Sequence, residues 1–332
     1  MDCAVLMRCI FPLLAVVVSL ALFTISNFQT LDAQQIPTDV EVLRDVPFGK
    51  GGERTLTMHI IRPKEKPEKP MPVIVWIHGG AWLGGSKDSG IPQLIPFARR
   101  GYFGASISYR FSKEAKFPAQ IEDCKCAVRF LRAKAKEFHI DPERIGVWGS
   151  SAGGHLAAML GVTSDVKGLE GSGGWEGYSS RVSAVCDWFG PSDLISMVHE
   201  PSAIDRTSAN CPEALLIGGP VLENKEKAMK ASPVTYVSAG DPPFLIMHGD
   251  KDNVVPLNQS VRLFEALKKA GVEVTFVKLK GAGHGGRGFS SPQVRQLITA
   301  FFDRHLKGEE DEWKKLVGGS RTNLIELEVG EQ

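Results

Sequence analysis

The chain carries no surplus of either charge. Its 39 Lys and Arg offset 38 Asp and Glu, leaving +1 over 332 residues. That balance gives no electrostatic case for a nucleic-acid partner. No internal repeat recurs at a fixed period, so a solenoid or propeller is not expected. Cysteine is sparse: six residues, with Cys3 and Cys9 in the leader. The other four, Cys124, Cys126, Cys186 and Cys211, lack zinc-site spacing, and no metal site is expected. Cys124 and Cys126 stand two apart on an expected helix and face different directions. A Cys186–Cys211 bridge suits an exporting compartment, and plain buried thiols are an equal alternative.

Against these absences, 43% of the residues are hydrophobic, enough for one sizeable core. The first 33 residues are a separate matter. Arg8 precedes an almost continuously apolar run from Cys9 to Phe28, and Leu31-Asp32-Ala33 offers a cleavage point. This reads as a secretory signal peptide cut after Ala33, with an uncleaved membrane anchor as the alternative. No lipoprotein-type cysteine follows the run. Either way the folded part, residues 36–307, is expected outside the cytosol: secreted, periplasmic, or tethered to a membrane by its N-terminal segment.

The rest of the chain alternates strands and helices. Apolar runs predict strands at 40–43, 54–62, 73–77, 102–109, 145–148, 182–189, 244–247 and 272–279. Helical stripes fall at 94–100, 118–138, 257–270 and 293–306. Such alternation implies a mainly parallel sheet with helices on both faces. Residues 161–180, polar and glycine-rich, read as a mobile surface loop. Residues 194–237 read as a small cap inserted over the site, and 308–332 as a loose polar tail.

The centre of this layout is Arg144 to Leu156, RIGVWGSSAGGHL. A short apolar strand turns through Gly149-Ser150-Ser151-Ala152-Gly153 into a run of small helix formers. A strand that turns sharply into a helix through Gly-x-Ser-x-Gly is a nucleophile elbow. The glycines remove clashes at a strained turn, and Ser151 stands at its tip. The helix that follows aims its positive dipole end at the same place.

Two further segments fit that chemistry. Acyl transfer builds negative charge on a carbonyl oxygen, so N–H donors must already face it. His78-Gly79-Gly80-Ala81-Trp82 follows the most apolar strand, and its glycine pair lets bare backbone approach a substrate. The expected donors are the N–H groups of Ala152, Gly80 and Ala81, each worth roughly 100- to 1,000-fold in turnover. His78 is expected to brace the loop, and Trp82 to line the acyl pocket. A serine also needs a base within reach, and a carboxylate to hold that base in the right tautomer. His284 lies in GAGHG after the last expected strand, and Asp252 in HGDKDNVVP. Asp250 competes with Asp252, but sits nearer the strand end, where bracing the loop suits it better. His248, His155 and His59 read as satisfied strand or helix histidines. Ser192 or Asp193 is expected to cap the helix that follows it.

HGGAW, GSSAGGHL, DWFGPSDL, HGDKDNVVP and GAGHG together resemble the α/β-hydrolase esterase/lipase superfamily. More narrowly they resemble its bacterial feruloyl and acetyl-xylan esterase-like branch (BD-FAE-like), a neighbour of the hormone-sensitive-lipase and arylformamidase groups. The hormone-sensitive-lipase group has three glycines after its histidine; Ala81 stands in the third place here. The resemblance runs from the lead-in strand to the closing helix. It implies an α/β-hydrolase fold, Ser151, Asp252 and His284 as a triad, no cofactor, and hydrolysis of small carboxylic esters, including acyl groups on plant polysaccharide. A formamidase or amidase would use the same machinery, and a non-catalytic binding protein could keep the same fold.

Overall fold

A computed structural model describes residues 36–164 and 166–329. The expected signal peptide or anchor lies outside these residues. Nine strands form one sheet: β1 (Val40–Gly51), β2 (Arg54–Pro63), β3 (Met71–Ile77), β4 (Phe103–Ile107), β5 (Ile140–Ser150), β6 (Ala184–Trp188), β7 (Phe244–Gly249), β8 (Val274–Lys280) and β9 (Thr322–Glu328). Their spatial order is β1-β2-β4-β3-β5-β6-β7-β8-β9. The β1–β2 and β2–β4 pairs are antiparallel. From β4 through β3 to β9 every pair is parallel. All parallel strands therefore end at one edge of the sheet, where the loops carrying Ser151, Asp252 and His284 emerge.

β3 shows why both faces must be covered. All seven of its residues are buried. Val73, Val75 and Ile77 enter one core, while Ile74 and Trp76 enter the other. This is the two-residue period of a strand buried on both sides. Helices Ala119–Ala133, Ala152–Val162 and Asn258–Lys269 supply residues to the first core. Helices Gly90–Ala98 and Pro292–Phe302 close the second.

Two stretches depart from expectation. Residues 308–332 are not a loose tail as far as the structure describes them. Asp311–Val317 is a helix whose Trp313 is 1% exposed and packs on Phe301. β9 then adds to the edge of β8. Its polar look has a physical source: an edge strand carries charge, and Glu326 and Glu328 pair with Lys278 and Lys280 across the ladder. Residues 161–180 are pinned by buried cations. Lys125 and Arg129, on the inner face of helix Ala119–Ala133, both reach the Glu170 carboxylate, at 2.6 and 2.8 Å. Arg129 also donates to the Glu170 and Gly174 carbonyls, and Arg132 to those of Ser179 and Arg181.

Cys124, Cys126, Cys186 and Cys211 are all buried free thiols, so the Cys186–Cys211 bridge is not formed. Among the described residues no helix is long and apolar enough to cross a membrane.

Candidate active site

β5 ends at Ser150 and the helix begins at Ala152, so Ser151 alone makes the turn, at φ 55° and ψ −122°. The flanking glycines are there for space. A Cβ on Gly149 would lie 2.1 Å from the Gly153 carbonyl oxygen, and one on Gly153 would lie 2.0 Å from that of Ile77. The Ser151 N–H donates to the Trp188 carbonyl at 2.8 Å, fixing the elbow to β6.

The serine oxygen Oγ is 3.0 Å from Nε2 of His284. The other ring nitrogen, Nδ1, is 2.7 Å from Oδ2 of Asp252. Asp252 Oδ1 accepts the N–H groups of Val254 and Val255 at 2.8 and 2.9 Å. Asp250 faces elsewhere: its Oδ1 accepts the N–H of Gly281 and ties the two loops together. Three side chains from three loops thus form one hydrogen-bonded line, with the carboxylate fully buried and the imidazole 21% exposed.

His248 adds a contact that residue pattern alone did not reveal. Its Nε2 lies 3.2 Å from Asp252 Oδ2, while its Nδ1 meets Ser260 Oγ at 2.7 Å. Burial pushes the Asp252 carboxyl up, but hydrogen bonds from His248 and His284 outweigh it and hold the group well below the usual carboxylate range. Asp252 is therefore an anion at any pH where the imidazole can work. A histidine four residues before the acid was the available signal; a buried strand position hid its meaning.

Phe189 closes the back of the imidazole. It holds the left-handed region at φ 43°, and its ring centroid lies 4.6 Å from that of His284. Its turn is kept by Phe189 N–H to the Met247 carbonyl and Gly190 N–H to Asp187 Oδ1, both 2.9 Å. Asp187 is fully buried, and its Oδ2 has no hydrogen-bond partner among the described residues. Burial lifts its pKa to about 7, against the opposing pull of the Gly190 N–H.

The loop after β3 approaches Ser151 from the other side. A Cβ on Gly79 would lie 2.8 Å from the Ser150 carbonyl oxygen. Gly80, at φ 116°, accepts the N–H groups of Leu83 and Gly84. Among the described residues, the N–H groups of Gly80 and Ala81 donate to no other backbone carbonyl. His78 stacks on Tyr109 at 4.5 Å, and its Nδ1 is 2.7 Å from the Gly79 carbonyl. Burial pushes its pKa down, so the ring sits there neutral, as a brace.

Trp82, expected to line the acyl pocket, is buried and does not line the cleft at the elbow. Ala81 and Trp82 both adopt left-handed backbone, at φ 55° and 57°. That double turn swings the indole inward, where it is 1% exposed. Its Nε1–H donates to His155 Nδ1 at 3.2 Å, and His155 Nε2–H donates to the Ala231 carbonyl at 2.7 Å. Burial drops the His155 pKa to about 4, in keeping with a neutral ring that accepts at one nitrogen and donates at the other.

A cleft of about 1310 Å³ borders the elbow at Ser150. Its walls come from the Gly79-Gly80 loop, from Ser86, Ser89 and Gln93, from Trp188 and Phe189, from residues 285–293, and from Glu328 and Val329. None comes from the 194–237 insert, which was expected to shape it. The insert instead holds the acid loop. Ala203 N–H and Ser202 Oγ donate to the Asn253 carbonyl, and Arg206 donates to that of Val254 at 2.6 Å. At its start Asp193 caps helix Leu194–Met197, accepting the N–H groups of Ile195 and Ser196. Among the described residues no group of three His, Cys, Asp or Glu could hold a metal ion.

A parallel sheet covered on both faces, a serine elbow, and an acid and a histidine on later loops of the same edge define an α/β-hydrolase fold. The chain belongs to the BD-FAE family, whose model matches residues 58–267. A second model, TAP-like protein, matches residues 223–312. Both matches end before β9. The chain is 31% identical to esterase LipQ of Mycobacterium tuberculosis over 263 residues, covering 78% of this chain and 61% of that protein. It therefore spans about three fifths of that curated relative. Among solved structures, a truncated carbohydrate esterase from gut microbiota is 36% identical with a TM-score of 0.74, over 83% of this chain and 99% of that one. Esterase 2 of the planctomycete Thermogutta terrifontis is 29% identical with a TM-score of 0.64, over 81% and 93% of the two chains. That esterase has also been solved phosphonylated by cyclosarin.

Proposed function

We propose that this protein is a serine carboxylic-ester hydrolase. The observation that carries the reading is the unbroken line from Ser151 Oγ through His284 to Asp252, set at a strand-to-helix elbow. His284 takes the serine proton as Oγ attacks the ester carbonyl, forming a C–O bond and an oxyanion. The Asp252 anion steadies the imidazolium. The N–H groups of Ala152 and Gly80, with Ala81, receive the oxyanion. As the C–O bond to the alcohol breaks, His284 returns the proton to the leaving oxygen. Water then enters by the same route and frees the acid.

The substrate reading is a small acyl ester whose alcohol is a carbohydrate, with acetyl or feruloyl groups on plant polysaccharide as examples. Two findings favour it. A solved neighbour bears the name carbohydrate esterase. The cleft is also lined by Trp188, Phe189 and Phe289 and by the polar side chains of Ser86, Ser89, Gln93 and Gln293. No cofactor enters this scheme. The leader's apolar run favours action outside the cytosol. A fluorophosphonate probe provides the test: it should label the parent protein and not Ser151→Ala. Equal labelling of both would end the proposal.

A further inference from the structure

We propose that Glu328, the last residue of β9, and Val329, which follows it, form the wall of the leaving-alcohol side of the cleft and limit the size of alcohol accepted. This rests on the hydrolase reading and deepens it. The register brings the segment there. β9 runs parallel to β8 with Lys280 opposite Glu328, so both strands finish level at the sheet edge that bears the site. β8 leads directly into the loop holding His284; β9 delivers Val329 beside that same loop.

The contact is tight. A Cβ on Gly288 would lie 2.9 Å from Val329 Cγ2 and 3.1 Å from Ala282 Cβ, so the valine rests on bare backbone four residues past His284. Val329 is partly buried against the core on that face, and it lines the cleft together with Glu328. Glu328, largely exposed, pairs with Lys280 Nζ at 3.2 Å.

Chemistry assigns the side. The departing alcohol takes its proton from His284 Nε2, so it must lie beside that ring. The cleft next to the ring is built from residues 285–290, which continue from His284, and Val329 backs them. Gly79 and Gly80 line the same cleft from the loop after β3. The wall thus bounds the alcohol.

The test compares acetyl esters of a small and a bulky alcohol, 4-nitrophenyl acetate and glucose pentaacetate. Val329→Trp should leave kcat/KM for the first within about twofold and lower it for the second by about tenfold or more, chiefly through KM. Val329→Ala, which carries no risk of overpacking, should move the ratio the other way. Parallel changes on both esters, or none on either, would overturn the wall. If the parent protein cleaves neither ester, the hydrolase reading falls and takes this one with it. Fluorophosphonate labelling of Ser151 tells that failure from a misplaced wall.

Discussion

Adding one methyl group at Gly153 should disable the site while sparing the fold. The Cβ of Gly153→Ala would lie 2.0 Å from the Ile77 carbonyl oxygen and 2.6 Å from that of His78. Ordinary contacts begin near 3.4 Å, so the first clash is short by about 1.4 Å. Both oxygens are backbone, so no side chain can swing away. Either the elbow helix retreats from β3 or the end of β3 moves. The first displaces Ser151 from His284; the second displaces Gly79 and Gly80, which follow directly. A misplacement of about 1 Å costs on the order of 100-fold in rate. Overpacking of this kind costs about 1–3 kcal/mol of stability. The assay is kcat on 4-nitrophenyl acetate alongside a thermal melt. Gly177→Ala is the control, because a Cβ there meets nothing within 4 Å. Gly153→Ala with kcat within about threefold of the parent and an unchanged Tm would refute the steric reasoning.

The two aspartates of the acid loop should separate cleanly. Asp252→Asn removes the anion that accepts His284 and His248, and should lower kcat by roughly 1,000- to 10,000-fold; Asp250→Asn only weakens a brace to Gly281 and should stay near the parent. Turnover of one chromogenic ester by both variants decides it, and equal losses would mean the acid is misassigned. Buried Asp187 gives a pH signature. Its pKa rises from 3.8 unfolded to about 7 folded, so between about pH 4 and 7 the native state keeps a proton that the unfolded chain has lost. Stability from this group is full below pH 4, falls as pH climbs through that window, by up to about 1.4 kcal/mol per unit, and is flat above it. Asp187→Asn lacks that slope, so its stability relative to the parent should improve from pH 4 to 7. Urea unfolding across that range measures it, and parallel profiles would contradict the assignment.

Much of this architecture could be read from residue order because the informative groups are local. The elbow is one pentapeptide, and its glycines carry their own steric reason. Asp252 and His284 each sit just past an apolar strand, so chain order alone foretells that their loops meet Ser151. What escaped reading depends on partners far away in sequence. Trp82 follows two glycines and looks like a pocket residue, yet its place is set by two left-handed residues and by an acceptor on His155. β9 looked unstructured because its glutamates seemed solvated. Their partners, Lys278 and Lys280, lie on a strand more than forty residues earlier. The 161–180 stretch looked mobile because no composition rule announces that Lys125 and Arg129 point inward.

The strap formed by Ser202, Ala203 and Arg206 across Asn253 and Val254 has a consequence for how a protein with the proposed activity would diversify. A swap of the insert would be felt first as a change in the poise of the acid, and so in speed. New substrate preferences would have to be written elsewhere, in the serine-rich rim and the turn after the histidine. Pace and taste are thereby entrusted to different stretches of polypeptide, free to change one without the other.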